Sequence, residues 1–155
     1  MKRTGHLFVA LGLLAVLVAI GVVQAAEKPP VIAVKPDIII SNMQVARVSA
    51  TPTCDNVRIT VTVMNTAPGT STGPFKIKLE WTENPTVGFT LVGTSGVANL
   101  ANDPSMAAVR GETRTFDHTV PKGEAYKYRA TADFMNQVDE ANEGNNVSSA
   151  GYVAR

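Results

Sequence analysis

The sequence predicts an all-β domain, a sandwich of about seven short antiparallel strands. Runs in which every second residue is apolar recur along the 155-residue chain, and this period of two is typical of half-buried strands. Gly, Pro and Asn cluster between the runs, where they favour turns. A parallel sheet would need helices between its strands, so the turn-rich connections favour an antiparallel sandwich.

The first 25 residues have the features of a signal peptide. Lys2 and Arg3 precede an uncharged apolar run from Leu7 to Val23, and Val23-Gln-Ala25 supplies small residues before a cleavage site. We expect removal of residues 1–25 and a protein that is secreted or held in the cell envelope. The alternative is an uncleaved membrane anchor, for which a run of roughly 17 residues is barely long enough.

Charge and cysteine content exclude several classes of protein. Without Lys2 and Arg3, the 14 basic residues fall to 12 against 13 acidic ones, so neither nucleic acid nor an anionic membrane is an expected partner. Cys54 is the single cysteine, which excludes an intrachain disulfide. Residues 26–35 contain Pro29 and Pro30 and predict an extended tether before a domain at 36–155.

The first half of that domain contains three clear strands. Pro36-Asp37 precedes an aliphatic run that begins a strand at Ile38 and continues to Val48. Unbroken alternation from Val57 to Val63 predicts a second strand, and alternation from Phe75 to Trp81 a third. The segment 84–109 is the least regular, with a short strand predicted at Gly88–Gly93 and another beginning at Met106–Val109.

The second half ends in a predicted hairpin. A strand is expected at 114–120, with Phe116 and Val120 facing inward. Alternating apolar residues from Tyr126 to Phe134 predict the next strand, and Val147 to Val153 predicts its partner. A loop rich in carboxylates and carboxamides, side chains that hydrogen-bond their own backbone, connects the two.

This closing stretch resembles the end of CARDB domains, the cell-adhesion-related domains of bacterial exported proteins. The resemblance rests on an Asp at the end of a strand followed by Glu, Asn-Glu and a paired Asn-Asn, which here are Asp133, Asn136, Glu140, Glu143, Asn145 and Asn146. Pro36-Asp37 and Gly111-Glu-Thr113 fit the same pattern, whereas Asn65-Thr-Ala-Pro-Gly69 is longer than the usual turn. The resemblance implies an immunoglobulin-like sandwich, with Trp81 as a candidate core tryptophan.

The residues do not predict an enzyme. His118 is the one histidine beyond the leader, and we expect it to be partly buried with a backbone hydrogen bond. Cys54 lies in a turn without a neighbouring base, as expected of an unreactive surface thiol. One His and one distant Cys cannot fill a zinc site.

The acidic loop allows two interpretations. Its residues, together with Asp139, supply many of the hard oxygens that Ca²⁺ prefers, although the spacing is not that of an EF-hand. We favour a structural role, in which Asp133, Asn145 and Asn146 satisfy backbone donors and the Glu side chains are solvated. We therefore expect no cofactor, with Ca²⁺ as the alternative.

The resemblance implies a secreted, non-catalytic binding or adhesion module. Its partner would be a protein or glycan at the cell surface, met by loops such as 65–74 and 133–146. Self-association as an envelope or filament subunit is one alternative, and an accessory factor of a secreted enzyme is another.

Overall fold

The computed structural model describes residues 33–103 and 111–155. The expected signal peptide, most of the tether and the strand start at Met106–Val109 lie outside these ranges. The described residues form seven antiparallel strands, which confirms the predicted fold class. The strands are β1 (Ile38–Ala50), β2 (Cys54–Asn65), β3 (Phe75–Thr82), β4 (Thr90–Val97), β5 (Glu112–Pro121), β6 (Ala125–Ala132) and β7 (Val147–Val153). Among the described residues, no helix is long and apolar enough to cross a membrane.

The strands form two sheets. One has the order β1-β2-β5 and the other the order β4-β3-β6-β7. The predicted closing hairpin is present, because β6 pairs with β7 from Ala125↔Val153 to Thr131↔Val147. β1 belongs to one sheet and β6 and β7 to the other, so contacts between the two sheets hold the sandwich closed.

The core is made by the inward side of the alternating strands. Val57, Ile59, Val61 and Val63 of β2 are at most 1% exposed, as their alternation predicts. They belong to one apolar cluster with Ile77 and Leu79 of β3 and with Tyr128 and Ala130 of β6. Each large side chain buried in this way contributes roughly 2 kcal/mol through removal of apolar surface from water.

Three local predictions differ from the structure. β4 begins at Thr90, two residues after the predicted start, and Gly88 has a positive φ of 116° that belongs to the preceding turn. β6 ends at Ala132, because Asp133 takes the left-handed region with φ 42° and turns the chain out of the sheet. Trp81 is only half-buried at the end of β3, where it packs against the core instead of filling it.

The two ends of the sandwich differ in their connections. One end carries the segment before β1, the β2–β3 loop and the β6–β7 loop. The other carries the β1–β2, β3–β4 and β5–β6 turns. There the buried carboxylate of Asp55 accepts hydrogen bonds from the Tyr152 hydroxyl at 2.7 Å and from the Arg155 amide at 3.2 Å. These bonds tie β2 to β7 and the C-terminal residues.

Candidate functional site

The β6–β7 loop is organised around the buried carboxylate of Asp133. Its oxygens accept the backbone N–H groups of Gln137 at 2.9 Å and Val138 at 2.8 Å. Asn136 has a φ of 50° and donates its N–H to the carbonyl of Asp133 at 2.9 Å. Asp and Asn tolerate the left-handed region and hydrogen-bond local backbone, which explains why this turn uses them.

Glu140 connects this loop to the first strand. Its Oε2 accepts the backbone N–H of Ile38 at 2.6 Å, and its Oε1 accepts the Asn146 side-chain amide at 2.8 Å. Glu140 is only 5% exposed, so the expectation of a solvated side chain is wrong for this residue. Glu143 is exposed, and its Oε1 accepts the backbone N–H of Glu140 at 3.1 Å.

The environment of Glu140 disfavours its charged form. Burial raises the pKa of Glu140 to about 7, against the two hydrogen bonds that favour the carboxylate. The nearby negative charges of Glu143 and Asp133 raise this pKa further. Glu140 therefore changes charge near neutral pH while it holds the two sheets together.

Asn65 occupies an inward position of β2 and joins three segments. Its Oδ1 accepts the backbone N–H of Asp37 at 3.1 Å, and its Nδ2 donates to the carbonyls of Thr70 at 3.1 Å and Leu100 at 3.2 Å. The Asp37 carboxylate in turn accepts the Asn145 amide at 2.9 Å and the Thr66 hydroxyl. Sequence reasoning missed the role of Asn65, although a polar residue two positions after Val63 on a buried face was an available signal.

We call this set of residues the polar end network. It joins the segment before β1 to the β2–β3, β4–β5 and β6–β7 connections. Five of the six site residues predicted from the sequence belong to it or to its turn, and Glu143 bonds its edge. The full set is Asp37, Asn65, Asp133, Asn136, Glu140, Asn145 and Asn146.

The profile of the CARDB family matches residues 35–150, a range that contains the whole polar end network. The chain belongs to the CARDB family. None of the curated proteins matches its sequence significantly.

Solved structures show the same fold. A CARDB domain from Pyrococcus furiosus, in complex with di-metal ions, is 19% identical with a TM-score of 0.55, and the match covers 80% of this chain and 97% of that one. A domain of a predicted cell-surface protein from Methanosarcina acetivorans is 21% identical with a TM-score of 0.54, and the match covers 78% of this chain and 93% of that one. The described residues thus have the CARDB architecture.

His118 of this CARDB domain lies in an aromatic cluster. Its Nδ1 is 3.1 Å from the Tyr128 hydroxyl, and its ring centroid is 5.0 Å from that of Trp81. Burial lowers the pKa of His118. The expected backbone hydrogen bond is therefore wrong, because the tyrosine hydroxyl from the facing sheet supplies the partner.

Cys54 is the first residue of β2 and is half-buried rather than a surface thiol in a turn. Its sulfur lies 3.7 Å from the Thr53 hydroxyl. A threonine hydroxyl is neither a general base nor a positive charge, so this contact does not activate the thiol.

The polar end network does not fit a metal ion. Both buried carboxylates, Asp133 and Glu140, already accept N–H groups on each oxygen. Asn145 and Asn146 donate to the carboxylates of Asp37 and Glu140, so the expectation that they satisfy backbone donors is wrong for these two residues. Each retains a buried side-chain oxygen without a partner in the described part of the chain, but two neutral oxygens do not make a Ca²⁺ site. Among residues 33–103 and 111–155, no three or more His, Cys, Asp or Glu side chains form a group that could hold a metal.

Proposed function

We propose that this CARDB domain is a secreted, non-catalytic module that binds a protein or glycan at the cell surface. Family membership supports the proposal, as does the described similarity to a domain of a predicted cell-surface protein. The signal-peptide pattern of residues 1–25 is consistent with it.

One observation carries the non-catalytic part of this proposal. The polar residues that resemble the family motif form hydrogen bonds to the backbone and to one another. Their role is therefore to hold segments of the fold together. Catalysis would need a nucleophile and a base held within hydrogen-bond reach. His118 instead meets the Tyr128 hydroxyl and an indole.

The same observation argues against the β6–β7 loop as the main binding surface. Its buried carboxylates and the side-chain amide donors of Asn145 and Asn146 are committed to the fold. A partner that used them would have to break hydrogen bonds that hold β1. We therefore assign the binding role to the exposed sheet surfaces and to the turns.

Addition of the labelled mature domain, residues 26–155, to washed cells of the source organism tests the proposal. We expect saturable binding that excess unlabelled domain displaces. Expression of the full chain should yield an exported product whose first residue is Ala26, as its mass will show. A cytoplasmic product with no saturable cell binding would overturn the proposal.

The metal ions of the Pyrococcus domain are not part of the function proposed for this chain. Sequence identity of 19% transfers the fold and not the ligands.

Self-association is a second candidate, favoured by β7. This strand lies at the edge of the four-stranded sheet, and its sequence Val-Ser-Ser-Ala-Gly-Tyr-Val has neither a charge nor a proline. Charged residues and prolines protect edge strands from pairing with other chains, and β7 lacks both. Size-exclusion chromatography across a concentration series tests this candidate, and a concentration-independent monomer would reject it.

A further inference from the structure

The outer face of the four-stranded sheet has an unusual charge distribution. On β3, Ile77 and Leu79 face the core, so Lys76, Lys78 and Glu80 point outward. On β6, Tyr128 and Ala130 face the core, so Lys127 and Arg129 point outward. The register pairs Glu80 with Arg129, which places both sets of side chains on one surface. We call the surface formed by Lys76, Lys78, Glu80, Lys127 and Arg129 the cationic face.

One carboxylate opposes four cations on this face. Glu80 accepts Arg129 at 2.8 Å and Lys78 at 3.1 Å, and so is shared by both. Lys76 and Lys127 are exposed, and neither has an ion-pair partner among the described residues. The face is therefore positive, although the chain without its leader is close to neutral.

The cations follow the two central strands and are not shaded by their neighbours. The residues directly beside the four cations are small, namely Thr94 and Gly96 on β4 and Ser149 and Gly151 on β7, whereas exposed Leu91 lies beside Glu80. From the level of Lys76 to that of Lys127 the track covers six residue steps along β3, which is roughly 20 Å. This shape fits an extended chain with regularly spaced negative charges.

The face lacks the features of other partners. A stable protein interface needs buried aromatic or aliphatic anchors near its centre. The two phenylalanines beside this face are covered by its own cations, with the Arg129 guanidinium 4.0 Å from the Phe89 centroid and Lys78 Nζ 5.6 Å from that of Phe134. Exposed Leu91 lies on the edge strand β4, and Val147 and Val153 lie at the two ends of the opposite edge strand β7, so these three residues do not form the contiguous patch that would enter a membrane.

We propose that the cationic face binds an extended acidic polysaccharide through its carboxylates. This inference rests on the proposed cell-surface role and specifies the ligand class for it. Lys76 and Lys127 provide the free charges. Arg129 and Lys78, held by Glu80, fix the middle of the track.

The test is affinity electrophoresis of the mature domain in gels that contain polygalacturonate, a linear carboxylated polysaccharide, or neutral dextran. We expect retardation by polygalacturonate that weakens as salt rises, and none by dextran. The double variant Lys76→Gln, Lys127→Gln should lose about tenfold in affinity, since two exposed ion pairs are removed. The control Lys35→Gln, Arg155→Gln removes the same charge elsewhere and should change affinity less than about twofold.

Equal weakening by the two double variants would overturn the inference, because it would reflect net charge alone. Tighter binding to vesicles of phosphatidylcholine and phosphatidylglycerol than to polygalacturonate would overturn it in favour of a lipid surface. Dimerisation abolished by the face variant would overturn it in favour of a second copy of the chain. Saturable cell binding that is unaffected by the face variant would reject the cationic face while leaving the cell-surface function intact.

Discussion

Asn65 and Glu140 each hold backbone from a distant segment, so a single side chain at this end of the sandwich fixes two parts of the fold. Both side chains are buried, and both form hydrogen bonds through each of their two polar atoms, Oδ1 and Nδ2 of Asn65 and Oε1 and Oε2 of Glu140. Removing one partner of a buried hydrogen bond costs more stability than the bond itself contributed, because the remaining polar group stays buried without a partner. Substitutions here should be severe although they remove no apolar contact.

Asn65→Ala is expected to lower the free energy of unfolding by about 3 kcal/mol. The substitution leaves the amide of Asp37 and the carbonyl of Leu100 without the partner that Asn65 supplies. Urea denaturation measures the change. Asn42→Ala, an exposed substitution in β1, is the control and should stay within about 0.5 kcal/mol. A loss at Asn65 no larger than that of the control would contradict the role of Asn65 as a junction.

Glu140 gives the domain a pH-dependent stability. Its pKa is near 4.5 in the unfolded chain and about 7 in the fold, so the folded state binds the proton more tightly between these values. Stability from this group is therefore complete below pH 4.5 and is lost as pH rises through about 7, by about 3 kcal/mol in all.

Glu140→Gln should remove this dependence, because glutamine stays neutral. The glutamine side-chain oxygen can accept the Ile38 N–H. Its NH₂ group can donate to Oδ1 of Asn146, which lacks a partner in the described residues, once the Asn146 side-chain amide has turned over. Unfolding free energies measured from pH 4.5 to 8 should show the variant gaining on the parent as pH rises. Glu124→Gln, an exposed change at the opposite end, should track the parent. Parallel curves for the parent and Glu140→Gln would show that Glu140 does not titrate in this range.

At the scale of the strands, β2 and β7 belong to different sheets, and the Asp55–Tyr152 hydrogen bond joins them. The Tyr152 hydroxyl is the main cause of the lowered pKa of Asp55, with smaller contributions from the Arg155 amide, Arg47 and Lys122. A lowered pKa means that this stabilisation is present above the ordinary pKa and is lost as pH falls through the folded value.

Tyr152→Phe should therefore cost about 1–3 kcal/mol at neutral pH, because a buried carboxylate loses a donor. The penalty should shrink in acid, where Asp55 takes up a proton. Thermal unfolding in a series of buffers from pH 7 down to the lowest pH at which the parent remains folded measures both. Ser149→Ala, on the same strand and exposed, provides the comparison and should have little effect at any pH in the series. A pH-independent penalty would show that the hydroxyl does not act through Asp55.

The strands could be predicted from the sequence because alternation is a local signal. Val57–Val63 and Phe75–Trp81 each specify their own buried side within a few residues. The burial of Glu140 could not be predicted in that way, because the amide that it accepts belongs to Ile38, 102 residues away. The closing motif pointed to the correct residues through its resemblance, while their partners, Asp37 and Asn65 among them, required the three-dimensional structure.

At the scale of the whole molecule, a ligand that binds only the folded state must raise its stability. The carboxylates of the polar end network are already used, so millimolar Ca²⁺ should leave the melting temperature of the mature domain unchanged relative to EDTA. Differential scanning fluorimetry in the two buffers makes the comparison. An increase of several degrees would establish a calcium site and would reject the assignment of these oxygens to internal hydrogen bonds.

The bond between Ile38 and Glu140 also determines when the domain can finish folding. Synthesis at roughly 5–20 residues per second places Glu140 about 5–20 s behind Ile38. During that interval β1 can pair with β2, and Asn65 can bond to Asp37 and Leu100, but the Glu140 bond that joins β1 to the β6–β7 loop cannot form. A chain under synthesis therefore lacks this link between β1 and the β6–β7 loop until Glu140 has been made, and a truncation before Glu140 would remove the link altogether.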